Sequence, residues 1–455
     1  MNGLYLRGED GYEEARVGRI FNRRRPERYP DAVLTASSAA EVAAGVRLAA
    51  SRGWTVAVRS GGHSWAAWSV REGGLLIDLG GLNGLSYDAA TGIAVAGPAV
   101  RGGRELAPFL SGLGRAFPGG HCPTVGIGGF LLQGGQGWNS RSVGWACESV
   151  VAVDVVTATG ELVRADATRN SDLYWAARGA GPGFPAIVTA FHLQTYPEYR
   201  QLWHDTWSFA PEDGETLLAW MHELLPGLDR RVEPVIAATR LPGVPLDPGV
   251  THPGTVLLLH TTVMTDSASD ASNLLRDFEN GPLAGRRLGH VRGETSLDEE
   301  GVVQAEQNPE GYRYAVDCTW SDAPADVLAG PLLRMWRELD TTHSFSIWYG
   351  WAPDRPLPDM AFSVEGNVYI ATYAIYSDPL EDERYRNWVH SRTADIAAAQ
   401  GAGVYLGDTD FTRRHDRFLS DANFARLAAV RAKWDPAGRL ASYLSADASR
   451  LNVHG

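Results

Sequence analysis

The first block of the chain, up to about Pro197, alternates short apolar runs with one clear amphipathic helix. The apolar runs DAVLTA, WTVAVRS and GLLIDLGGL predict buried strands. Between the first two runs, Ser38 and Glu41 have the spacing of a capping box, which predicts the start of the helix AAEVAAGVRLAASRG. Two later segments turn at Asp88–Gly92 and at Thr159-Gly160 and predict β-hairpins. We therefore expect a β-α-β start followed by antiparallel pairs.

The pattern changes after about residue 200 and stays different up to about residue 395. Long strand-like runs such as TVLLLHTTVM, SFSIWYGWAP and NVYIATYAIY alternate with amphipathic helices such as GETLLAWMHELLPGL, PLLRMWRELD and ERYRNWVHSRTADIAAAQ. This alternation favours an antiparallel sheet with helices on one face. The final segment SDANFARLAAVRAKWDPAGRL predicts a capped helix that ends before Pro436.

Composition narrows the class of protein. The chain has 455 residues, of which 44% are hydrophobic, and this length predicts two domains with sizeable cores. A formal net charge of -13 argues against a nucleic-acid-binding protein and against a basic membrane-binding surface. The first residues lack the apolar stretch of a signal peptide, and no long apolar run predicts a membrane span. The expectation is a cytoplasmic enzyme.

The three cysteines, Cys122, Cys147 and Cys318, are too few and too scattered to predict a disulfide framework or a metal site. Cys147 and Cys318 are expected to be buried structural residues. Cys122 differs because it lies beside His121 in a glycine-rich segment. Surrounded by backbone N–H dipoles, its side chain is a candidate thiolate.

Two glycine-rich segments carry the candidate chemistry. In VRSGGHSWAAW, the pair Gly61-Gly62 is either a simple turn before a loop histidine or a place where the backbone closes on a phosphate. The second segment, GGHCPTVGIGGFLLQGGQG, interleaves glycine with apolar residues, which favours a ligand-cradling loop over a flexible one. It lacks the spacing of a Rossmann fingerprint, and the chain has no P-loop motif.

These segments resemble the berberine bridge enzyme-like branch of the vanillyl-alcohol-oxidase flavoprotein superfamily. VRSGGHSW is similar to its histidyl-flavin motif, and GHCPTVGIGGFLLQGGQGWNSRSVGWACESV to its cysteinyl-flavin segment. DLYWAARGAGPGFPAIVTAFHLQTYP resembles its adenine-side strand and VRAKWDPAGRL its closing helix. The resemblance implies an α+β fold: a PCMH-type two-part FAD-binding domain, residues 1–197 and 400–455, with an inserted substrate domain, residues 198–399, whose antiparallel sheet is covered by helices.

The resemblance also implies how FAD is held. His63 would bond to the 8α carbon of the flavin and Cys122 to its C6 carbon, which would tether the ring at two points. The residues implied to contact the pyrophosphate are Arg59, Ser60, Gly61, Gly62, His63 and Ser64, with Ser69 nearby. Those implied to line the rest of the dinucleotide are Gly126, Gly128, Gly129 and Gly137, with Ile187 and Val188 at the adenine end. Val125 stands where a small residue in the family accompanies open access for oxygen, which favours an oxidase.

The catalytic base departs from the family pattern. The family often uses a glutamate on the strand that here reads EGNVYIATYAIY, where Ile370 stands. Strand alternation from Ile370 predicts that Val368 and Thr372 also face the pocket and that Tyr369 and Tyr373 point away.

The family's other candidate is a Tyr-x-Asn-Tyr motif, and the matching stretch VYLGDTD keeps Tyr405 but has Asp408 in place of the second tyrosine. We therefore hypothesise that Asp408 is the general base, the alternative being an ordinary turn aspartate. Tyr349 resembles a pocket tyrosine of the family and is either a substrate contact or a core aromatic residue.

The function that the resemblance implies is oxidation by FAD. Hydride would pass from a C–H centre, such as that of an alcohol, in a bulky organic substrate (a glycoside or a natural-product intermediate), and O2 would reoxidise the flavin with release of H2O2. Two alternatives stay open from the sequence. One is an oxidative cyclase or oxygenase, which the departures at Ile370 and Asp408 would permit. The other is a flavin-binding protein without catalytic activity.

Overall fold

The computed structural model describes residues 2–252 and 254–444, so residues 445–455 of the predicted C-terminal segment lie outside the described part. The strands are β1 (Leu4–Leu6), β2 (Ala32–Thr35), β3 (Val56–Arg59), β4 (Leu75–Asp78), β5 (Leu85–Asp88), β6 (Ile93–Ala96), β7 (Arg115–Ala116), β8 (Val150–Thr157), β9 (Leu162–Asp166), β10 (Ala186–Gln194), β11 (Tyr196–Pro197), β12 (Gln201–Phe209), β13 (Val232–Thr239), β14 (Val256–Thr265), β15 (Gly289–Thr295), β16 (Arg313–Ser321), β17 (Phe345–Gly350), β18 (Val368–Tyr376) and β19 (Gly401–Gly403).

The helices follow the same chain order. They are α1 (Tyr12–Val17), α2 (Ala39–Arg52), α3 (Ala107–Ser111), α4 (Ile127–Leu132), α5 (Ser140–Val143), α6 (Ser171–Ala176), α7 (Gly214–Leu224), α8 (Ala268–Leu274), α9 (Arg276–Glu279), α10 (Leu297–Gln307), α11 (Ala325–Arg337), α12 (Asp382–Ala397) and α13 (Asp421–Trp434). Among the described residues, no helix combines the length and the apolar character that crossing a membrane requires.

The predicted β-α-β start is confirmed. Strands β2, β4 and β3 pair in parallel, and β1 adds to β2 in the antiparallel sense. The Ser38 hydroxyl caps α2 by accepting a hydrogen bond from the Glu41 N–H, while the Glu41 carboxylate accepts one from the Ser37 N–H, one residue before the cap. At Gly45 a Cβ atom would lie 2.5 Å from a methyl carbon of Leu34, so glycine lets the helix pack closely on the sheet.

Both predicted hairpins are present in a second sheet, whose strand order is β5-β6-β10-β8-β9. Strands β5 and β6 form the hairpin at Asp88–Gly92, and β8 and β9 form the one at Thr159-Gly160. Strand β10 pairs with both hairpins in the antiparallel sense, which joins them into one sheet.

The large antiparallel sheet expected in the second half is also confirmed. Its strand order is β15-β12-β14-β13-β17-β18-β16-β19, and each neighbouring pair is antiparallel. Helices α7 and α11 bury aliphatic residues and Trp336 against one face of this sheet. The opposite face, which carries Tyr349, Tyr369 and Tyr373, turns toward the first block of the chain.

Two local predictions for this half were wrong. The segment PLLRMWRELD predicted a helix from Pro331, but α11 begins at Ala325, so Pro331 lies inside the helix. On β18, Val368 and Ile370 face the helices, whereas Tyr369 and Tyr373 face the first block. Every residue of β18 is buried, so its apolar pattern could not indicate which face lies toward a pocket.

Candidate functional site

A cavity of about 1080 Å³ lies between the glycine-rich loops of the first block and the free face of the large sheet. Two segments form its floor: residues 59–64, which begin with the last residue of β3, and residues 120–129, which run into the first turn of α4. Alternating residues of β12, β14, β13, β17 and β18 form its roof, and α10 contributes one wall. The cavity therefore joins the two glycine-rich segments to strands that lie far from them in the sequence.

The two floor loops meet through glycine backbone. A Cβ atom on Gly61 would lie 2.7 Å from the backbone nitrogen of Gly126, and a Cβ on Gly126 would lie 2.7 Å from Cα of Gly61. Neither position accepts a side chain without moving the other loop. The predicted convergence of the two segments thus has a steric cause in the glycine residues themselves.

The floor also leaves room for a ligand. A Cβ atom on Gly129 would meet no other atom within 4 Å, although Gly129 lines the cavity. The side-chain amide nitrogen of Gln136, which also lines the cavity, is buried and has no hydrogen-bond partner within the part of the chain that the structure describes. A cradle of open backbone beside an unpaired donor fits a ligand that carries hydrogen-bond acceptors, as FAD does.

Most of the predicted cofactor residues lie together in the wall of this cavity. Those that line it are Arg59, Ser60, Gly61, Gly62, His63, Ser64, Ser69, Cys122, Val125, Gly126, Gly128, Gly129, Ile187 and Val188. Ile187 and Val188 lie on β10, in the part of the wall that also includes Val56 of β3.

Two predicted contacts differ in detail. The Arg59 guanidinium points away from the cavity, where it donates to the Asp78 carboxylate and to the backbone carbonyl of Arg16, so only the backbone of Arg59 faces the site. Gly137 lies behind the cavity wall and is not among the lining residues of the described structure. A Cβ atom there would lie 2.3 Å from the Pro118 carbonyl oxygen, which is a packing reason for glycine.

The two predicted covalent anchors converge on a single hydroxyl group. Nε2 of His63 lies 2.7 Å from Oγ1 of Thr124, and Sγ of Cys122 lies 3.4 Å from the same oxygen. The His63 ring also stacks on Phe21 at a centroid distance of 4.1 Å, which holds the ring plane. The imidazole and the thiol are thus placed side by side at one point of the cavity, although 58 residues separate them in the chain.

The protonation of these anchors follows from their surroundings. Burial, reinforced by the positive charges of Arg101 and Arg104, lowers the pKa of His63 to about 3, so the imidazole is neutral at physiological pH. Neutral imidazole has the free electron pair that a nucleophile needs. For Cys122 the expected thiolate is not supported, because burial raises the pKa of the thiol above its ordinary value despite opposing contributions from Thr124 and Arg104.

Asp408 lies beside β18 in the cavity wall, and three side chains donate hydrogen bonds to its carboxylate. Its Oδ1 accepts a hydrogen bond of 2.7 Å from Nε1 of Trp65, and its Oδ2 accepts bonds from the hydroxyls of Tyr369 at 2.6 Å and Tyr373 at 3.0 Å. Burial raises the pKa of Asp408 even though all three donors act to lower it. A fixed carboxylate with a raised pKa that lines a cavity has the attributes of a general base.

Asp408 is also close to the predicted flavin anchor. Trp65 donates to Asp408 and lies edge-on to the His63 ring, at a centroid distance of 6.2 Å. A single indole therefore separates the His63 imidazole from the carboxylate that we predict to be the base.

The two tyrosines predicted beside the base have different surroundings. Tyr405 lines the cavity and packs edge-on against Tyr369, and burial raises its pKa, so its hydroxyl keeps its proton. Tyr349 also lines the cavity, but its hydroxyl donates to the buried carboxylate of Glu233 at 2.9 Å. Burial raises the pKa of Glu233, which also accepts hydrogen bonds from the backbone N–H groups of Asn139 and Arg141.

Sequence reasoning missed several side chains at this site: Trp65, Thr124, Glu233, Tyr369 and Tyr373. Trp65 and Thr124 each lie two residues after a predicted anchor, so their positions in the motifs were a usable signal. Glu233 is a charged residue within the strand-like run RRVEPVIAAT, which also marks it as unusual. For Tyr369 and Tyr373 the sequence held no such signal.

Comparison with known proteins adds to this geometry. Residues 30–166 match a family model described as an FAD binding domain. The chain is 36% identical to the FAD-linked oxidoreductase nodO of Hypoxylon pulicicidum over 439 residues, which cover 96% of this chain and 95% of that protein. It is 38% identical to a xylooligosaccharide oxidase of Thermothelomyces thermophilus over 178 residues, 39% of this chain and 35% of that protein.

Among solved structures, 6-hydroxy-D-nicotine oxidase of Arthrobacter nicotinovorans superposes with a TM-score of 0.80 at 22% identity, covering 97% of this chain and 96% of that one. BBE-like 1 of Physcomitrella patens superposes with a TM-score of 0.80 at 21% identity, covering 97% and 95%. At these identities the two superpositions show a shared fold, and they confirm the α+β architecture expected from the sequence.

Proposed function

Because this chain belongs to the family of FAD-linked oxidoreductases, we propose that it is a FAD-dependent oxidase whose flavin is bound covalently to both His63 and Cys122. Bound FAD supplies the acceptor for a hydride from the substrate and, with O2, the route by which both electrons and two protons leave as H2O2. The chain's own residues bind the cofactor, position the substrate and move the substrate proton. We further propose that residues 1–197 and 400–455 bind FAD and that residues 198–399 bind the substrate.

The observation that carries this proposal is the meeting of His63 and Cys122 at Thr124 inside the cavity. The neutral His63 imidazole has the electron pair needed to bond to a flavin carbon, and Phe21 holds its plane. Each link would replace a C–H bond of the flavin and the N–H or S–H bond of the side chain, and the two electrons and two protons released would pass to O2 as H2O2. Cys122 requires a proton acceptor before it can bond, since burial favours its neutral thiol. We infer that the histidyl link forms more readily than the cysteinyl link.

Asp408 is our proposed base. In the ionised form, an oxygen of Asp408 accepts the proton of a substrate hydroxyl, which allows the adjacent C–H hydride to leave. Tyr369, Tyr373 and Trp65 donate to the carboxylate and hold it in one orientation, and the raised pKa values of the two tyrosines keep their donor protons in place. Asp408 would be catalytic, and the three donors would be positioning residues.

The corrected orientation of β18 removes one argument for the oxidative cyclase or oxygenase. Ile370 faces the helices, so the lack of a carboxylate at this position does not deprive the cavity of a base. Asp408 lines the cavity together with Tyr369 and Tyr373, and its carboxylate can serve as the base. The oxidase is therefore the reaction that we propose, and its substrate is an alcohol or related C–H centre in a bulky organic molecule.

Oxidation by O2 can be tested without knowing the substrate. The purified yellow protein is reduced by light under anaerobic conditions and then mixed with air-saturated buffer, while flavin absorbance and H2O2 are followed. We expect the flavin to reoxidise rapidly with one H2O2 formed per flavin. A reduced flavin or flavin radical that persists in air would contradict an oxidase and favour a flavin-binding protein without catalytic activity.

A further inference from the structure

A polar cluster on the part of the roof near the β15 edge of the sheet is not used by the function proposed above. It consists of His204 on β12, His260 on β14 and Glu300 on α10, all of which line the cavity. Nδ1 of His204 lies 2.9 Å from Oε1 of Glu300, and Nε2 of His260 lies 3.7 Å from Oε2 of the same carboxylate. We call these three residues the outer cluster.

The outer cluster is built so that its imidazoles, rather than its carboxylate, face the cavity. The side chains of His204 and His260 keep 27% and 25% of their surface exposed, whereas that of Glu300 keeps 3%. Nδ1 of His260 lies 2.7 Å from the Thr206 hydroxyl, which fixes that ring. Nε2 of His204 makes no hydrogen bond within the described part of the chain. A group that served only to fasten α10 to the sheet would not need this open nitrogen.

The charges on the cluster suit an oxygen-containing ligand. The hydrogen bond to Glu300 raises the pKa of His204. Its Nε2 is an acceptor when the ring is neutral and a donor when the ring is protonated. Burial lowers the pKa of His260 and keeps that ring neutral. A hydroxyl group both donates and accepts, so it can bond to His204 in either protonation state.

Between the outer cluster and Asp408, the roof is mixed. Its middle strands present Val235 and Ala237 of β13 and Phe345 and Ile347 of β17 to the cavity. They also present Thr239 and the pair of Glu233 and Tyr349, which hydrogen-bond to each other. Strands β14 and β12 lie three and four positions from β18 in the sheet, so at the usual strand spacing the two polar ends are about 14–19 Å apart. The roof is thus polar at both ends and mixed between them, where the Tyr349 hydroxyl is already bonded to Glu233.

We propose that the outer cluster is a substrate-binding subsite in which His204 holds a hydroxyl group of an elongated substrate whose other end reacts at Asp408. This inference rests on the proposed function, since that function places the reacting end at Asp408. It narrows the substrate from bulky organic molecules in general to elongated alcohols with a second hydroxyl about 14–19 Å away, a span set by the strand spacing.

The test uses rigid probes and measures binding rather than turnover. para-Terphenyl with a hydroxyl at both ends is compared with para-terphenyl carrying one hydroxyl, by isothermal titration calorimetry on the anaerobic holoprotein. We expect the diol to bind about 3- to 10-fold more tightly, the effect of one hydrogen bond. The biphenyl diol, which is too short to span the two ends, should show no such advantage over its own single-hydroxyl form.

Two variants show which residue causes the tighter binding of the terphenyl diol. His204→Phe keeps a ring but removes the open nitrogen, and it should abolish the advantage of the terphenyl diol. His192→Phe is the matched control, since His192 pairs with Asp154 at 2.9 Å on the second sheet and does not line the cavity of the described structure. The diol should keep its advantage in this variant.

Three outcomes would overturn the subsite: equal binding of the two terphenyls to the wild-type protein, an equal advantage for the biphenyl diol, or a diol preference that survives His204→Phe. The wild-type comparisons do not depend on the folding of any variant. Flavin content is measured on the same samples. Protein purified without FAD would contradict the proposed function, whereas the probe comparison judges the subsite alone.

Discussion

The floor and the roof of the cavity are built in opposite ways. The floor consists of two short segments in which the functional groups are neighbours in the sequence, and it approaches its ligand with backbone because glycine occupies the contact positions. The roof takes its functional side chains from five strands spread between residues 201 and 376, and none of these groups is next to another in the sequence.

The two constructions suit two different tasks, which are cofactor binding in the floor and substrate recognition in the roof. A backbone cradle with two nucleophilic side chains suits a cofactor that is always the same, since its shape is set by glycine positions that tolerate little change. A sheet face of alternating side chains can change its specificity one residue at a time without disturbing the backbone. We therefore expect added side-chain atoms in the floor to lower stability and FAD binding. We expect the loss of polar atoms around the roof to weaken binding or slow the reaction.

The largest effect is expected at Asp408. Replacing Asp408 by Asn keeps the shape but removes the proton acceptor, so substrate-dependent flavin reduction should slow by about 10²- to 10⁴-fold, the contribution of general base catalysis. The measurement is stopped-flow flavin absorbance under anaerobic conditions.

Glu365→Gln is the matched control for Asp408. Glu365 also accepts indole N–H hydrogen bonds, from Trp145 at 2.9 Å and Trp351 at 2.8 Å, but it does not line the cavity of the described structure. Its rate of flavin reduction should stay close to that of the wild type. An unchanged rate in Asp408→Asn, with FAD still bound, would remove Asp408 from the role of base.

A steric change in the floor comes next. Gly126→Ala places a Cβ atom 2.7 Å from Cα of Gly61, so the free energy of unfolding should fall by about 1–3 kcal/mol and FAD should be lost. Gly129→Ala is the control, because its Cβ has no atom within 4 Å, and we expect it to keep the wild-type unfolding energy. Denaturant unfolding of both variants measures the difference, and equal stability would show that the loops can separate.

The pH dependence of the rate of flavin reduction tests the role of the hydrogen bonds that Asp408 accepts. The rate of flavin reduction should rise with pH as Asp408 loses its proton, and the raised pKa of Asp408 places this rise above the range of an ordinary aspartate. Tyr369→Phe removes a donor that lowers this pKa, so the rise should move to higher pH. A profile that stays in place, or moves to lower pH, would contradict the assignment of the titrating group.

The smallest change in stability is expected for a substitution at Thr124. Thr124→Val removes the hydroxyl that contacts both His63 and Cys122, which should lower the free energy of unfolding by about 0.5–1.5 kcal/mol. It should also reduce the fraction of protein with both covalent links. Protein that carries the wild-type content of both links would show that Thr124 does not position the anchors.

The sequence predicted the functional residues of the floor far better than those of the roof, for a physical reason. His63, Cys122 and the glycines lie in contiguous motifs whose chemistry is local, so the sequence pattern alone places them. The orientation of β18 is instead decided by which face the helices cover. Both faces of that strand are buried, and its alternation therefore predicted the wrong face for Tyr369 and Tyr373.

Asp408 is an intermediate case. The motif comparison selected Asp408, but its surroundings come from Trp65, 343 residues earlier, and from two tyrosines on a strand that the sequence interpretation turned away. The same holds for Cys122, whose thiol is more buried than its glycine-rich surroundings suggested, so that its pKa is raised. Burial arises from tertiary packing, which local sequence does not record.

The central claim is the double attachment of FAD to the floor, and peptide mass spectrometry of the acid-precipitated yellow protein tests it most directly. We predict that the mass of FAD stays on a peptide containing His63 cross-linked to one containing Cys122, and that His63→Ala and Cys122→Ala each leave a single link. Flavin that is released entirely by acid, with neither peptide modified, would contradict the claim.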